Sequence, residues 1–236
     1  MGAGAAPAAA RPPRARSPTL EAVGTVLSVN VGRVQELAVR RGRPVMSAIR
    51  KAPVAGRVRA EGAGLAGDEQ ADLRAHGGPD KAVYAYARED ADWWARTLGR
   101  EVPDGAFGEN LTTRGVDCTN AVIGERWRIG TALLEVCQPR IPCAKLALRF
   151  DEPDMVKRFA LASRPGAYLR IVEPGELGAG DPVELVDRPD HGVTVRLVSD
   201  AILLDESLLA RTLAAPQLAA RLRDWIAPRA EQPAAG

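Results

Sequence analysis

The chain has 236 residues, of which 46% are hydrophobic and 26% are charged, as in an ordinary globular protein with a sizeable core. A net charge of +2 argues against nucleic acid or an acidic membrane surface as a partner, and the longest apolar run is too short to cross a membrane. The three cysteines include no Cys-x-x-Cys pair, which favours a reducing compartment over a disulfide framework. We therefore predict a cytoplasmic protein.

Both ends of the chain are predicted to be loose. Residues 1–18 are rich in alanine, glycine, proline and arginine, which predicts a disordered tail. Its arginines follow its alanines, the reverse of the order in a secretory signal. Residues 228–236 are a second predicted tail. Between the two tails, residues 19–187 are predicted to form one strand-rich domain and residues 191–227 a module of three helices.

Short strands dominate the first predicted domain. Residues 27–31 alternate between apolar and small or polar side chains, as in a half-buried strand. Further predicted strands are residues 44–50, 54–59, 81–87, 111–113, 127–129, 132–136, 168–173 and 183–186. Two helices interrupt them, over residues 88–98, closed by Gly99, and over residues 154–163. Many short strands with frequent turns predict a barrel or a sandwich.

After His191 the pattern becomes helical. A first helix is predicted within residues 193–204, a second, capped by Asp205, over residues 206–213, and a third opening at Pro216. The apolar face of the third helix comprises Leu218, Leu222, Trp225 and Ile226. Three short amphipathic helices bury little by themselves, so we expect them to dock on the first domain or on a partner chain.

Cys143 has the most reactive setting of the three cysteines. It follows Pro142, with Arg140 at position −3 and Lys145 at position +2. A thiol reacts as its thiolate, which nearby cations and helix N-termini stabilise. Pro142 suits the first position of a helix, which would place Cys143 in the first turn. These residues predict a reactive cysteine on a strand-to-helix turn, with a structural thiol as the alternative.

Cys118 and Cys137 are predicted not to be catalytic. Cys118 lies in a polar stretch and Cys137 ends a predicted strand. Because Cys137 is close to Cys143 in the chain, a redox partnership between the two thiols is the alternative.

Two glycine-containing turns are candidate ligand sites. His76 precedes Gly77 and Gly78, whose backbone could approach a ligand closely and present N–H groups to an anion. The alternative is a tight turn with an incidental histidine. Asn110 ends the segment 108–110, which could equally be a turn that an asparagine side chain stabilises. Asp68 and Gln70 are predicted to be scaffold residues.

Five segments carry a family resemblance. They are GDEQAD (67–72), HGGPDKAV (76–83), FGENLTT (107–113), IGERWRIG (123–130) and QPRIPCAKL (138–146). In order and approximate spacing they resemble the MOSC domain, and within it the YiiM-like branch, over about residues 23–185. The resemblance implies a MOSC-type β-barrel with a few peripheral helices, followed by a small C-terminal three-helix module.

The same resemblance implies a molybdenum-cofactor site at which Cys143 ligates the metal or receives sulfur. Molybdopterin ends in a phosphate or nucleotide, so its pocket needs charge-assisted donors and backbone N–H groups. The predicted cofactor-binding residues are Lys51, His76, Gly77, Gly78, Asn110, Arg140, Lys145 and Arg170. Ala167 stands where the branch has a bulky aromatic, so the shape of the family's substrate pocket does not carry over.

Three functions remain open. The first is a molybdenum-dependent reductase of N-hydroxylated purines or amidoximes, with Cys143 as the metal ligand and this small molecule as substrate. Its electrons would come from a separate reductase, since the chain shows no flavin, haem or iron–sulfur signature. The second is a sulfur carrier that receives a persulfide on Cys143 from a pyridoxal-phosphate-dependent cysteine desulfurase. The third is a non-catalytic domain with an inert cysteine.

Overall fold

The computed structural model describes residues 21–71 and 77–231, so the predicted tail over residues 1–18 lies outside the described residues. The strands are β1 (Glu21–Val31), β2 (Gln35–Arg40), β3 (Arg43–Ser47), β4 (Ala52–Pro53), β5 (Arg57–Glu61), β6 (Gly64–Leu65), β7 (Val83–Ala87), β8 (Leu111–Arg114), β9 (Arg126–Ile129), β10 (Ala132–Pro139), β11 (Ala167–Glu173), β12 (Gly175–Gly178) and β13 (Pro182–Asp187). The helices are α1 (Arg88–Leu98), α2 (Ala144–Phe150), α3 (Met155–Ala162), α4 (Val195–Leu203), α5 (Leu209–Thr212) and α6 (Ala220–Ala230).

Seven strands close into a barrel. Their order is β13-β9-β10-β11-β7-β8-β1, and β1 pairs back onto β13. The neighbours are antiparallel except β7 and β8, which run parallel because α1 lies between them in the chain. Closure leaves these strands without a free edge. The predicted β-rich barrel with peripheral helices is confirmed.

Apolar alternation explains how the barrel is filled. On β9, Trp127 and Ile129 are buried while Arg126 and Arg128 are half-buried, and every residue of β10 is buried. A second, aromatic cluster fills the space between the barrel and helices α1 to α3. There the Trp94 and Phe159 rings stack with centroids 6.1 Å apart. These two clusters fix the outer helices against the strands that end near Cys143.

Local signals located the helices better than the strands. α1 spans the predicted residues and ends at Gly99, whose φ of 65° is left-handed. The strand predicted over residues 44–50 ends earlier, at Ser47. It pairs with β2, which was not predicted because its mostly exposed side chains give no apolar alternation.

The C-terminal helices dock on the barrel. Thr194 caps α4, accepting a hydrogen bond of 3.1 Å from the Leu197 N–H, and Asp205 caps the short 3₁₀ turn Glu206–Leu208 as predicted. Val198 and Ile226 belong to the same apolar cluster as barrel residues. Whether residues 191–227 form a separate folding unit stays a prediction.

The last helix departs from its predicted bounds at both ends. It begins at Ala220 rather than at Pro216, because the Ala219 N–H donates to the Cys137 carbonyl of β10 at 3.0 Å instead of entering a helix. It then continues through Pro228 to Ala230, past the predicted boundary at residue 227. None of the helices in residues 21–71 and 77–231 is long and apolar enough to cross a membrane.

Candidate functional site

Cys143 lies on the connection between β10 and α2. Its backbone is extended (φ −135°, ψ 173°) and its carbonyl accepts a hydrogen bond of 2.9 Å from the Leu146 N–H. The strand-to-helix turn is therefore present, but Cys143 is the N-cap and the helix begins at Ala144. The prediction that Pro142 opens the helix is wrong, because the extended geometry delays the first turn by two residues. The Cys143 side chain is half-buried.

Cys143 lines a cavity of about 100 Å³, called here the polar cavity because of its charged lining. Four of the cavity's lining residues are cations and two are acids. They are Lys51, Lys81, Arg140, Lys145, Asp68 and Glu69. Asn110 and the aromatic residues Tyr84, Phe107 and Tyr168 also line it. Of the predicted cofactor-binding residues, this cavity brings together Lys51, Asn110, Arg140 and Lys145.

Lys51 and Asn110 are both engaged with the buried Asp68. Lys51 forms an ion pair with Asp68, which also accepts a hydrogen bond of 2.9 Å from the Asn110 amide and one of 2.8 Å from the Gly32 N–H. Burial lowers the pKa of Lys51, and the Asp68 charge only partly offsets that effect. These contacts make Lys51 and Asn110 parts of the cavity wall, and they give Asp68 its predicted scaffold role.

Arg140 is a buried cation beside Cys143. Its guanidinium donates to the Phe107 carbonyl and lies 5.4 Å from the centre of the Tyr84 ring. Burial alone lowers the pKa of Arg140, but the nearby Tyr84, Tyr168 and Cys143 raise it above its ordinary value. The guanidinium therefore stays charged. That Arg140 stabilises a Cys143 thiolate stays a prediction.

A second, larger depression adjoins Cys143 from the other side. This groove has a volume of about 500 Å³ and lies between the barrel and α6. Gly77 and Gly78 line the groove and not the polar cavity, so the predicted cofactor set is divided between two sites. Gly78 needs to be a glycine because its φ is 97°, and its N–H donates to the Gln70 side chain at 3.2 Å. His76 lies outside the described residues.

Sequence comparison identifies relatives of this chain. Residues 72–184 match the MOSC domain, and the chain is 38% identical over 175 residues to the uncharacterized protein YflK of Bacillus subtilis, covering 74% of this chain and 79% of that protein. It is 39% identical over 165 residues to the protein YiiM of Escherichia coli, covering 69% and 72%. The chain belongs to the MOSC domain family, in its YiiM-like branch.

Solved structures agree with this membership. The crystal structure of YiiM from Geobacillus stearothermophilus superposes on this MOSC protein with a TM-score of 0.73 at 30% identity, covering 88% of this chain and 99% of that one. YiiM from Escherichia coli gives 0.68 at 29% identity, covering 88% and 92%. A protein of Gibberella moniliformis named a reductase is 37% identical over 171 residues, which cover 70% of this chain but 30% of that protein.

Cys118 and Cys137 are buried and protonated in this MOSC protein. Burial raises the pKa of each thiol to about 12. The Cys137 thiol also donates to the Asp80 carbonyl at 3.0 Å. A thiol with such a pKa is not a thiolate at neutral pH. This burial supports the prediction that neither thiol is catalytic, whereas Cys143 is only half-buried.

Arg170 lines neither cavity. It forms ion pairs with Asp80 at 2.9 Å and Glu135 at 3.2 Å and donates to the Gln217 carbonyl at 3.0 Å. The prediction that it binds the cofactor is not supported by this position, because its charge is used to join the turn at Asp80, strand β10 and the C-terminal segment. Ala167 is fully buried and also lines neither cavity.

We predict that Arg170→Met destabilises the protein by about 2 kcal/mol, the scale for breaking a partly buried ion-pair network. Cys143 chemistry should persist, because the polar cavity keeps its lining. Urea unfolding measures the loss, and Arg128→Met is the matched control, since Arg128 pairs with the exposed Glu173. Equal losses of stability in Arg170→Met and Arg128→Met would contradict the view that Arg170 joins these three segments.

Glu109 is a fully buried acid in the chain between Gly108 and Asn110, which both line the polar cavity. It accepts hydrogen bonds from the Gly105 N–H at 2.7 Å, the Phe107 N–H at 2.9 Å and the Thr112 hydroxyl at 3.1 Å. Burial raises the pKa of Glu109 from 4.5 to about 7, although these donors favour the ionised form. Its role is to hold the loop that carries Gly108 and Phe107 into the cavity wall.

This raised pKa predicts a pH dependence. Between about pH 4.5 and 7 the folded state keeps a proton that the unfolded state releases, so the contribution of Glu109 to stability falls as pH rises. Urea midpoints measured across this range should show the decline in the wild type and a flatter profile in Glu109→Gln. The variant should also be less stable by about 1–3 kcal/mol, because its amide faces N–H donors. If the urea midpoints of the wild type and of Glu109→Gln changed with pH in parallel, Glu109 would not be the group that causes the decline.

Residues that sequence reasoning did not assign complete the site. Like Cys143, Lys81 and Tyr168 line both the polar cavity and the groove. Lys81 lies within a family segment and is one of four lysines in the chain, which was an available signal. Nothing in the sequence pointed to Tyr84 as a site residue, because an aromatic side chain on a buried strand normally belongs to the hydrophobic core. Only the pairing of β7 with β11 brings Tyr84 close to Tyr168.

Proposed function

We propose that this protein is a molybdenum-cofactor-dependent reductase of N-hydroxylated compounds, such as N-hydroxylated purines or amidoximes, with the Cys143 thiolate as a metal ligand. The observation that carries the proposal is the position of Cys143 between a cationic cavity and a larger groove. A cofactor in the first and a substrate in the second could reach the same sulfur from two sides.

The residues of the polar cavity fit an anionic group. With Lys51 neutralised by Asp68, the remaining charged lining is Lys81, Arg140 and Lys145 against Glu69. Arg140 and Lys145 would hold a phosphate by charge-assisted hydrogen bonds. A volume of about 100 Å³ is below that of a whole cofactor site, so we assign the cavity to the anionic end of the cofactor.

Metal retention would depend on Cys143 together with sulfur that the cofactor brings. Within residues 21–71 and 77–231, no group of three or more His, Cys, Asp or Glu side chains could hold a metal ion. Thiolate is a suitable ligand for a sulfur-bound, soft site. Cys143 would then be the protein's ligand to the metal, and the cations of the polar cavity would hold the pterin phosphate.

The proposed reaction breaks the substrate N–O bond, takes up two electrons and two protons, and releases the amine and water. The bound cofactor would supply the electrons, which a separate reductase would replenish. Burial raises the pKa of Tyr168, so its hydroxyl is protonated at neutral pH. Tyr168 lines both cavities, which supports a role in which its hydroxyl would donate a hydrogen bond to the departing hydroxyl.

The test is to produce the protein in a cell that makes the cofactor and to measure bound molybdenum. We expect about one molybdenum atom per chain, together with reduction of benzamidoxime when electrons are supplied. The contrary result is protein without molybdenum whose Cys143 gains persulfide sulfur from a cysteine desulfurase. That result would favour the sulfur carrier.

A further inference from the structure

The hairpin of β2 and β3 carries a local excess of positive charge. The two strands form a sheet of their own outside the barrel. Residues 40–50 hold four arginines and no acid, although the whole chain has a net charge of only +2. All four arginines are exposed, namely Arg40, Arg41, Arg43 and Arg50. The positive charge of the chain is therefore concentrated on this hairpin and on the residues that follow it.

Helix α2, which packs against β2, adds a fifth arginine to this charge. The Nε of Arg149 is buried and has no hydrogen-bond partner within residues 21–71 and 77–231. Burial lowers the pKa of Arg149, the nearby charge of Arg50 lowers it further, and Glu109 offsets these effects only in part. Two neighbouring cations repel each other, so a carboxylate brought to this place by another molecule would be bound favourably.

Exposed apolar side chains accompany the arginines on the hairpin. Val39 is 59% exposed and Met46 is 41% exposed. Val39 lies opposite Pro44 in the register, and Met46 follows two residues later, so the three side chains share one face of the hairpin. Arginine and methionine are enriched at protein–protein interfaces, whereas lysine and glutamate are depleted there. This composition favours a surface that binds another protein.

The hairpin leads directly into the wall of the polar cavity. Its last residue, Ser47, lines that cavity, as do Ala48 and Ile49. On α2, Arg149 lies one helical turn after Lys145, which also lines the cavity. The tip of the hairpin is about 17 Å from its base, since a strand rises about 3.4 Å per residue. A protein interface of ordinary size, about 800 Å² on each partner, would therefore reach from the hairpin tip to the rim of the cavity.

We propose that these five arginines, called here the basic face, are the docking surface for an acidic electron-donating protein. The proposal rests on the proposed function for the need of such a donor, and it adds where the donor binds and which charge it carries. The carboxylates of the donor pair with the arginines, and its apolar surface covers Val39, Pro44 and Met46. Each encounter oxidises the donor by one electron, so two encounters supply the two electrons that cleavage of the N–O bond takes up.

The first measurement is the binding of an acidic flavodoxin to the full chain, by calorimetry at low ionic strength. We expect Arg40→Glu/Arg43→Glu to weaken this binding at least about tenfold, and added salt to weaken wild-type binding. Arg50→Glu, at the base of the hairpin, should act in the same direction. The matched control is Arg114→Glu/Arg211→Glu, which reverses the charge of two exposed arginines on β8 and α5. Because the control has the same net charge as the hairpin variant, it should keep an affinity close to that of the wild type.

The second measurement separates docking from the reaction. Reduction of benzamidoxime is driven either by reduced methyl viologen, a small donor that needs no docking surface, or by reduced flavodoxin. We expect Arg40→Glu/Arg43→Glu to keep the rate with methyl viologen and to lose at least about tenfold of the rate with flavodoxin, because its encounters with the protein donor are less frequent.

The outcomes separate this proposal from the proposed function. Flavodoxin binding that only the basic-face variants weaken supports the docking surface even if neither donor drives reduction, in which case the proposed function alone fails. Wild-type affinity in Arg40→Glu/Arg43→Glu overturns the proposal even if methyl viologen drives the reaction. Equal weakening in the control also overturns it, because net charge would then be the cause. Binding of phosphatidylserine vesicles instead of flavodoxin would assign the basic face to a membrane surface, and binding of neither by the wild type would equally refute the proposal.

Discussion

Cys143→Ser is expected to lose its molybdenum and its reductase activity while keeping its fold. A serine hydroxyl remains protonated at neutral pH, and oxygen is a poorer ligand than thiolate for a sulfur-bound metal. The fold should survive because position 143 is the N-cap of α2, where serine is among the preferred residues. Bound molybdenum, amidoxime reduction and thermal unfolding measure the three expectations.

The other two cysteines provide the controls. Cys118→Ser and Cys137→Ser should retain the metal and the activity, since both thiols are buried and protonated. Any loss in these variants should be one of stability. A Cys143→Ser protein that reduces an amidoxime at the wild-type rate would show that the thiolate is not part of the reaction.

Arg140→Met is expected to weaken cofactor binding by about 1–3 kcal/mol, the scale of one lost charge-assisted hydrogen bond. Methionine fills much of the space against Tyr84 and Phe159, so that the change removes mainly charge and donors. Without the cation, alkylation of Cys143 should need a higher pH to reach half its maximal rate, because the thiolate loses the favourable charge of the buried guanidinium.

Arg140→Lys is the matched control for charge. It should keep the wild-type pH midpoint of alkylation but recover only part of the cofactor affinity, since lysine lacks the planar fork of donors. Alkylation is measured in a Cys118→Ser/Cys137→Ser background, in which Cys143 is the one remaining cysteine. An unchanged midpoint in Arg140→Met would remove the electrostatic role of Arg140.

Local sequence information was enough to bring the candidate cysteine and its cation to one site. Cys143 and Arg140 lie three residues apart in the chain, and both line the polar cavity. Likewise, Gly99 is a local signal from which the end of α1 is predicted correctly. Such features depend on residues close in the chain, which is where sequence patterns are informative.

The missed features depend on contacts between distant segments. Lys51 looked like an anion-binding cation, and only the fold reveals that Asp68 neutralises it. Arg170 lies in a family-matching region, yet its bonds to three separate partners hold its side chain outside the two cavities. The sequence places Trp225 on an apolar helix face, and only the fold reveals that it lines the same groove as Cys143. Charge and hydropathy do not specify which partner a side chain meets.

X-ray absorption at the molybdenum edge tests the central claim most directly, because it counts the sulfur atoms bound to the metal. A pterin dithiolene supplies two sulfurs, so ligation by Cys143 predicts a third sulfur at bonding distance in the wild-type protein. Metal that is bound through only the two dithiolene sulfurs, with Cys143 still open to alkylation, would contradict the account.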